Sequence, residues 1–179
     1  ELTTPSIQHR AEAPKLGSFA IVTCSTSRYE KLVEAGEVRD ESGELARALL
    51  ERSGYRVVSQ EVVPDDEEMI KNIVAELLND PRVDAVITIG GTGLSPKDVT
   101  IEAVKSLVDR EVPGFGEIFR LMSFQRIGSA AALSRAFAGV CGKKLIFCIP
   151  GSPQAVETAL SGLVIPEFSH MIKHVRESL

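Results

Sequence analysis

Short apolar runs alternate along the chain with longer segments in which apolar residues recur every three or four positions. SFAIVTCS (18–25) predicts a strand followed by a long loop, and RDESGELARALLERSGY (39–55) then sets Leu45, Leu49 and Leu50 at helical spacing, with Gly54 as the stop. YRVVSQEVV (55–63) predicts a second strand, after which Pro64 and Asp65 open DDEEMIKNIVAELLND, whose Met69, Ile70, Ile73, Leu77 and Leu78 share one helical face. VDAVITI (83–89) is apolar on both faces, as central parallel strands are. Helix signals return over 99–108. The stretch 111–144 divides into a turn at Pro113–Gly114, a helix near 115–123 and a shorter helical piece near 129–135. KLIFCIP (144–150) predicts another buried strand, and GSPQAVETALSGLV with PEFSHMIKHVRESL supplies closing helices.

This alternation predicts a three-layer α/β/α fold with a mainly parallel sheet. Residues 1–16 lack periodicity and are expected to form a tail or arm, with 17–179 as a single domain. Ligands of open sheets of this kind bind beyond the carboxyl ends of the strands. The turns at 24–42, 63–66, 90–98 and 150–153 are therefore where chemistry is sought.

Composition narrows the classes. With 44% hydrophobic, 25% charged and 5% aromatic residues, the 179-residue chain has an ordinary globular profile. A formal charge of -5 without a long Lys/Arg run argues against a nucleic-acid surface. An anionic ligand would have to be held locally, by backbone amides, a few cations or a divalent metal. No apolar stretch reaches the roughly 18 residues of a membrane span. Cys24, Cys141 and Cys148 form no CxxC pair and no even framework, so reduced thiols in a cytoplasm are expected.

The glycine turn IGGTGLSPKD (89–98) fits neither the dinucleotide fingerprint nor a Walker A loop. Its glycines either serve a tight turn alone or let successive N–H groups cup an anion. Asp98 could cap a helix beginning at Val99 by accepting from Thr100 or Ile101. A capping carboxylate beside a phosphate cup would repel the anion unless a divalent cation lay between, and Mg²⁺ takes one or two carboxylates plus substrate phosphates. VPDDEEM (63–69) also makes a capping box, with Asp65 as N-cap and Glu68 at N3, and places a second carboxylate at a strand end.

Other motifs carry less. PGFGE (113–117) and PGSP (150–153) are either loops or turns whose following helices offer free N–H groups. His170 and His174 have zinc-ligand spacing on the last helix, yet no third ligand is evident and a solvated face is expected. GxSxG is absent, which removes the serine hydrolase class.

Taken in order, VPDDE, TIGGTGLSPKDVT, VPGFGEIFR, SRAFAGV and LIFCIPGSPQAVETAL resemble the MoaB/Mog family of molybdenum-cofactor biosynthesis proteins, to which the gephyrin G domain is also similar. The resemblance spans about 18–165 and implies a MogA-like molybdopterin-binding fold. It further implies Mg²⁺-dependent adenylylation of molybdopterin, in which the terminal phosphate of the pterin attacks the α-phosphate of ATP and pyrophosphate leaves.

By the matching motifs, Asp65 and Asp98 are the expected catalytic and Mg²⁺-holding residues. Gly90, Gly91, Thr92, Gly93 and Ser95 are the expected nucleotide-phosphate loop. Ser25, Ser42, Gly43, Gly114, Gly116, Glu117, Gly151 and Ser152 are the expected pterin pocket. Where many relatives have Ser-Asp or Ser-Asn before an Arg, this chain has Ser25-Thr26-Ser27-Arg28. A cytoplasmic homo-oligomer, a trimer or a dimer of trimers, is implied, working with other enzymes of the pathway. The competing class is a catalytically silent family member that binds molybdopterin or its precursor and scaffolds those enzymes.

Overall fold

The computed structural model describes residues 17–177, so the expected tail at 1–16 lies outside the described residues. Strands β1 (Ser18–Cys24), β2 (Arg56–Val63), β3 (Ala85–Ile89), β4 (Arg110–Glu111), β5 (Phe137–Cys141) and β6 (Lys144–Ile149) form one sheet in the order β2-β1-β3-β6-β5-β4. The β2, β1, β3 and β6 strands run parallel, while β5 and β4 join through antiparallel pairings. The helices are α1 (Thr26–Ala35), α2 (Glu41–Arg52), α3 (Glu67–Asn79), α4 (Thr100–Lys105), α5 (Pro113–Ile127), α6 (Pro153–Ala159) and α7 (Ile165–Arg176). A 3₁₀ turn at Gly128–Leu133 follows α5, and a π-helical turn at Leu160–Val164 joins α6 to α7.

Alternating residues of the central strands feed two separate cores, as the two-residue period of a strand requires. Phe19, Ile21, Ile87, Ile89, Phe147 and Ile149 pack against α2, α5, α6 and α7 through Leu50, Phe119, Val156 and Phe168. Ala20, Val22, Val86, Ile146 and Cys148 face the other way, onto Ile70 and Val74 of α3 and Ile101 and Val104 of α4. Both faces of the sheet are covered, which is why its strands are apolar throughout.

The connection from β1 to β2 runs through α2 on one face, and that from β2 to β3 runs through α3 on the other. With β1 between β2 and β3, the carboxyl ends of β1 and β3 flank the crevice where such a sheet binds ligands. That crevice is also where the glycine turn leaves β3.

Several boundaries differ from expectation. The loop expected after β1 contains α1, which buries none of its residues and so offers no apolar stripe to read. PGFGE is not a turn but the start of α5, with Pro113 in the first turn where its missing N–H costs nothing. α5 runs on to Ile127, and the expected helical piece near 129–135 is the 3₁₀ turn at 128–133.

Candidate functional site at the carboxyl edge of the sheet

The glycine turn is held from below and from one side. Gly90 (φ 104°) and Gly91 (φ 62°) lie in the left-handed region that favours glycine. A Cβ at Gly90 would stand 2.4 Å from the carbonyl oxygen of Cys24, and one at Gly91 would stand 2.1 Å from Oγ1 of Thr100. The Gly90 N–H donates to the carbonyl of Ile149, and the Thr100 N–H at the start of α4 donates to that of Gly91.

Arg135 takes the remaining carbonyls. Its backbone N–H donates to Thr92 O at 3.0 Å, its Nε to Gly93 O at 2.8 Å and its Nη2 to Asp98 O at 2.6 Å. Nη1 pairs with Glu102. In a trans peptide the N–H points opposite the preceding C=O. Fixing the carbonyls of Gly91, Thr92 and Gly93 therefore aims the amides of Thr92, Gly93 and Leu94 to the other side. Those amides, and that of Gly91, donate to no group among the described residues. A run of unpartnered amides of this kind offers the donors from which an anion cup is built.

The two aspartates do not cap the helices that follow them in the chain. Asp66, not Asp65, is the N-cap of α3: its carboxylate accepts from Met69 N at 2.8 Å, and Glu68 is accordingly not the third residue of a capping box around Asp65. Asp65 instead turns toward the start of α1, where its Oδ2 accepts from the N–H and the hydroxyl of Thr26, each at 2.9 Å. Asp98 caps neither Thr100 nor Ile101; α4 begins at Thr100 without a side-chain cap. Its Oδ2 accepts from Ser95 N at 2.9 Å, closing the LSPKD loop on itself. Oδ1 of each carboxylate accepts no hydrogen bond among the described residues.

Asp65 follows β2 and the glycine turn follows β3, with β1 between them, so about 10 Å of backbone separates the two at strand spacings of roughly 4.8 Å. Asp65 and Asp98 are half-buried carboxylates at the carboxyl edge of the sheet, each with one uncommitted oxygen, the kind of ligand a hard cation takes when waters and phosphates complete its shell. Asp65 and Asp98 are the residues that would hold Mg²⁺. Among the described residues no group of three or more His, Cys, Asp or Glu could enclose a metal on its own.

The other expected residues divide. Ser25 lies between β1 and α1, its N–H donating to Val63 O at 2.8 Å. Ser42 is buried and donates its hydroxyl to Gly151 O at 2.7 Å, and Gly151 packs against Gly90, so α2 braces the PGSP turn against the glycine turn. The N–H of Gly43 donates to Asp40 at 3.1 Å, and that buried carboxylate also accepts the Thr23 hydroxyl at 2.6 Å. Ser152 caps α6 through Ala155 N and borders a recess of about 210 Å³ shared with Phe119, Arg126 and Thr158. Gly116 and Glu117 line a different groove, of about 500 Å³, with Glu102 and Arg135 in its wall, which none of the other expected residues borders. Gly114 stands in open space at the start of α5.

Two residues to which the sequence assigns no site role hold this site: Thr26, which fixes Asp65, and Arg135, which orients the amides of the glycine turn. Arg135 lay within the quoted SRAFAGV segment, but the partners of its side chain stand 33 to 42 positions away. Burial pushes Cys24 and Cys148 up to about 12, and half-buried Cys141 up to about 11.

Comparison with known proteins shows the family and the fold. A family described as a probable molybdopterin binding domain matches residues 20–170. The chain belongs to the MoaB/Mog family of such domains. Molybdenum cofactor biosynthesis protein B of Bacillus cereus is 44% identical over 165 residues, which is 92% of this chain and 94% of that one. The probable molybdopterin adenylyltransferase of Methanocaldococcus jannaschii is 40% identical over 159 residues, 89% of this chain and 94% of its own. A crystal structure of a molybdenum cofactor biosynthesis protein B shares the family fold, with a TM-score of 0.85 at 43% identity, covering 93% of this chain and all of that one.

Proposed function

We propose that the protein acts in molybdenum cofactor biosynthesis as a molybdopterin adenylyltransferase. The observation that carries this reading is the amide cup of the glycine turn flanked by Asp65 and Asp98, each with an uncommitted carboxylate oxygen. The terminal phosphate of molybdopterin forms a bond to the α-phosphorus of ATP as the bond to the β-phosphate oxygen breaks, giving adenylyl-molybdopterin and pyrophosphate. Bound Mg²⁺ would offset the charge gathered when two polyanions meet.

The chain's own residues position and stabilise. Thr92, Gly93 and Leu94 offer amides to phosphate oxygens, a preorganised arrangement that needs no rearrangement as charge shifts to the leaving group. Thr26 keeps Asp65 in one orientation, and Arg135 keeps the amides in theirs. No protein nucleophile is required, in keeping with thiols whose pKa burial raises. The row of exposed apolar side chains on α5, Ile118, Leu121, Phe124 and Ile127, supports self-association, which this reading takes to be a trimer or a dimer of trimers. Light scattering on the purified chain checks the assembly.

Incubation with molybdopterin and Mg-ATP is expected to release pyrophosphate, and Asp65→Ala or Asp98→Ala is expected to abolish release while pterin binding persists. Pterin binding without ATP turnover in the wild type would instead establish the silent scaffold, toward which the predominance of relatives named only as biosynthesis protein B points.

A further inference from the structure

On α7, one turn apart, His170 and His174 turn their Nε2 atoms toward each other at 2.8 Å. Both rings are exposed, at 54% and 59% of their side-chain surface. Each Nδ1 faces a carboxylate: that of His174 stands 3.2 Å from Oε2 of Glu177, and that of His170 stands 3.7 Å from Oε2 of Glu167. A proton on Nδ1 of His174 lets it donate to Glu177, whereas the 3.7 Å gap at His170 is too long for a hydrogen bond and leaves that ring either tautomer. At 2.8 Å the two Nε2 atoms either share one proton in an N–H···N hydrogen bond or, with both rings protonated on Nδ1, direct two lone pairs into the same gap, where a cation can sit.

We infer that His170 and His174 form a two-imidazole clamp for a divalent transition-metal ion such as Zn²⁺, Ni²⁺ or Cu²⁺. Metal–nitrogen bonds of about 2.0–2.1 Å at ordinary ligand angles put two such nitrogens about 2.9–3.4 Å apart, close to the separation already present. Imidazole suits these metals and not Mg²⁺. Glu177 and Glu167 stand where carboxylates orient metal-bound histidines and raise their basicity. With two protein ligands the remaining positions go to water, so the ion is exchangeable.

The clamp is remote from the glycine turn. α7 ends with Arg176 paired to Asp84 and donating to the carbonyl of Lys143, residues that precede β3 and β6 at the opposite edge of the sheet.

The test titrates the untagged full-length chain with ZnCl₂ or CuCl₂ in a non-coordinating buffer, by calorimetry and, for Cu²⁺, by electron paramagnetic resonance. One ion per chain is expected, with two nitrogen ligands in the Cu²⁺ spectrum. His170→Ala and His174→Ala should each weaken binding at least about tenfold, and Glu177→Gln about tenfold. His9→Ala and Asp65→Asn should bind as the wild type does. Absence of uptake by the wild type, or wild-type binding by either variant of the pair, overturns the clamp. Because the readout is metal binding alone, its failure leaves the adenylylation reading untouched.

Discussion

Thr26 donates twice to one carboxylate oxygen of Asp65, from its backbone N–H and its hydroxyl, each at 2.9 Å, and the same hydroxyl oxygen accepts the Asp65 N–H at 3.0 Å. Thr26, in the Ser25-Thr26-Ser27-Arg28 segment, is thus a clasp on the proposed metal-holding residue. Thr26→Val keeps the shape but removes the hydroxyl, leaving the Asp65 N–H without its partner. A stability loss of about 1–2 kcal/mol is expected from denaturant titration. A small misplacement of a reacting group costs up to about 100-fold in rate, so pyrophosphate release should fall toward that extent. Thr26→Ser should retain both stability and rate. Equal rates for the Val and Ser variants would remove Thr26 from the site.

Asp65 and Asp66 are neighbours with separate tasks. Asp66→Ala removes the cap of α3 and is expected to destabilise the protein by about 1 kcal/mol with catalysis unchanged. Asp65→Ala should do the reverse, with loss of turnover at little cost to α3. Paired measurements of thermal midpoint and pyrophosphate release on both variants decide the assignment.

The four parallel strands and the helices with apolar stripes were legible because each carries a pattern of its own. The alternate apolar positions of β1 and β3, Ile21 and Ile87 on one side against Val22 and Val86 on the other, are what a doubly covered sheet demands. α1 was not legible because it buries no residue. Asp65 was read as a cap because a capping box depends on where the strand ends, and here the helix begins at Glu67, one residue later than that reading requires. The glycine turn and its two aspartates were visible as a motif. The reason the amides are turned outward was not, because it resides in Arg135, 42 positions beyond Gly93.

Arg135 contacts Gly93 O, Asp98 O and Glu102 through different nitrogens of one planar fork. A lysine cannot reproduce that geometry. Arg135→Lys is therefore expected to impair the enzyme nearly as much as Arg135→Ala, raising the ATP requirement as well as slowing turnover. Full activity in the Lys variant would show that charge alone matters there.

The hydrogen bond from Arg135 holds the Glu102 carboxyl below its ordinary value of 4.5, against a smaller opposing effect of burial. A depressed folded-state value means that the contribution is complete above 4.5 and is lost as the pH falls through the lower folded value. In Glu102→Gln this acid-side loss should be absent, so the difference in thermal midpoint between wild type and variant should shrink as the pH is lowered. A difference that does not vary with pH would show that the pair contributes nothing through ionisation. Both partners are partly exposed, so the effect should also weaken with added salt.

The thiols give a test of whether any cysteine takes part. Nucleophilic attack and alkylation both require the thiolate. Burial pushes Cys24 and Cys148 up to about 12 and Cys141 up to about 11, so at mildly alkaline pH almost none is ionised. Cys24 lies directly beneath Gly90, close enough that a reactive group there would inactivate the amide cup on modification. Iodoacetamide is therefore expected to leave the native protein unlabelled and fully active, and to add three labels only after unfolding. Mass spectrometry of the native and denatured samples, run beside the pyrophosphate assay, checks both halves. Native labelling at Cys24 with loss of activity would place a thiolate at the reaction centre and overturn catalysis by positioning alone.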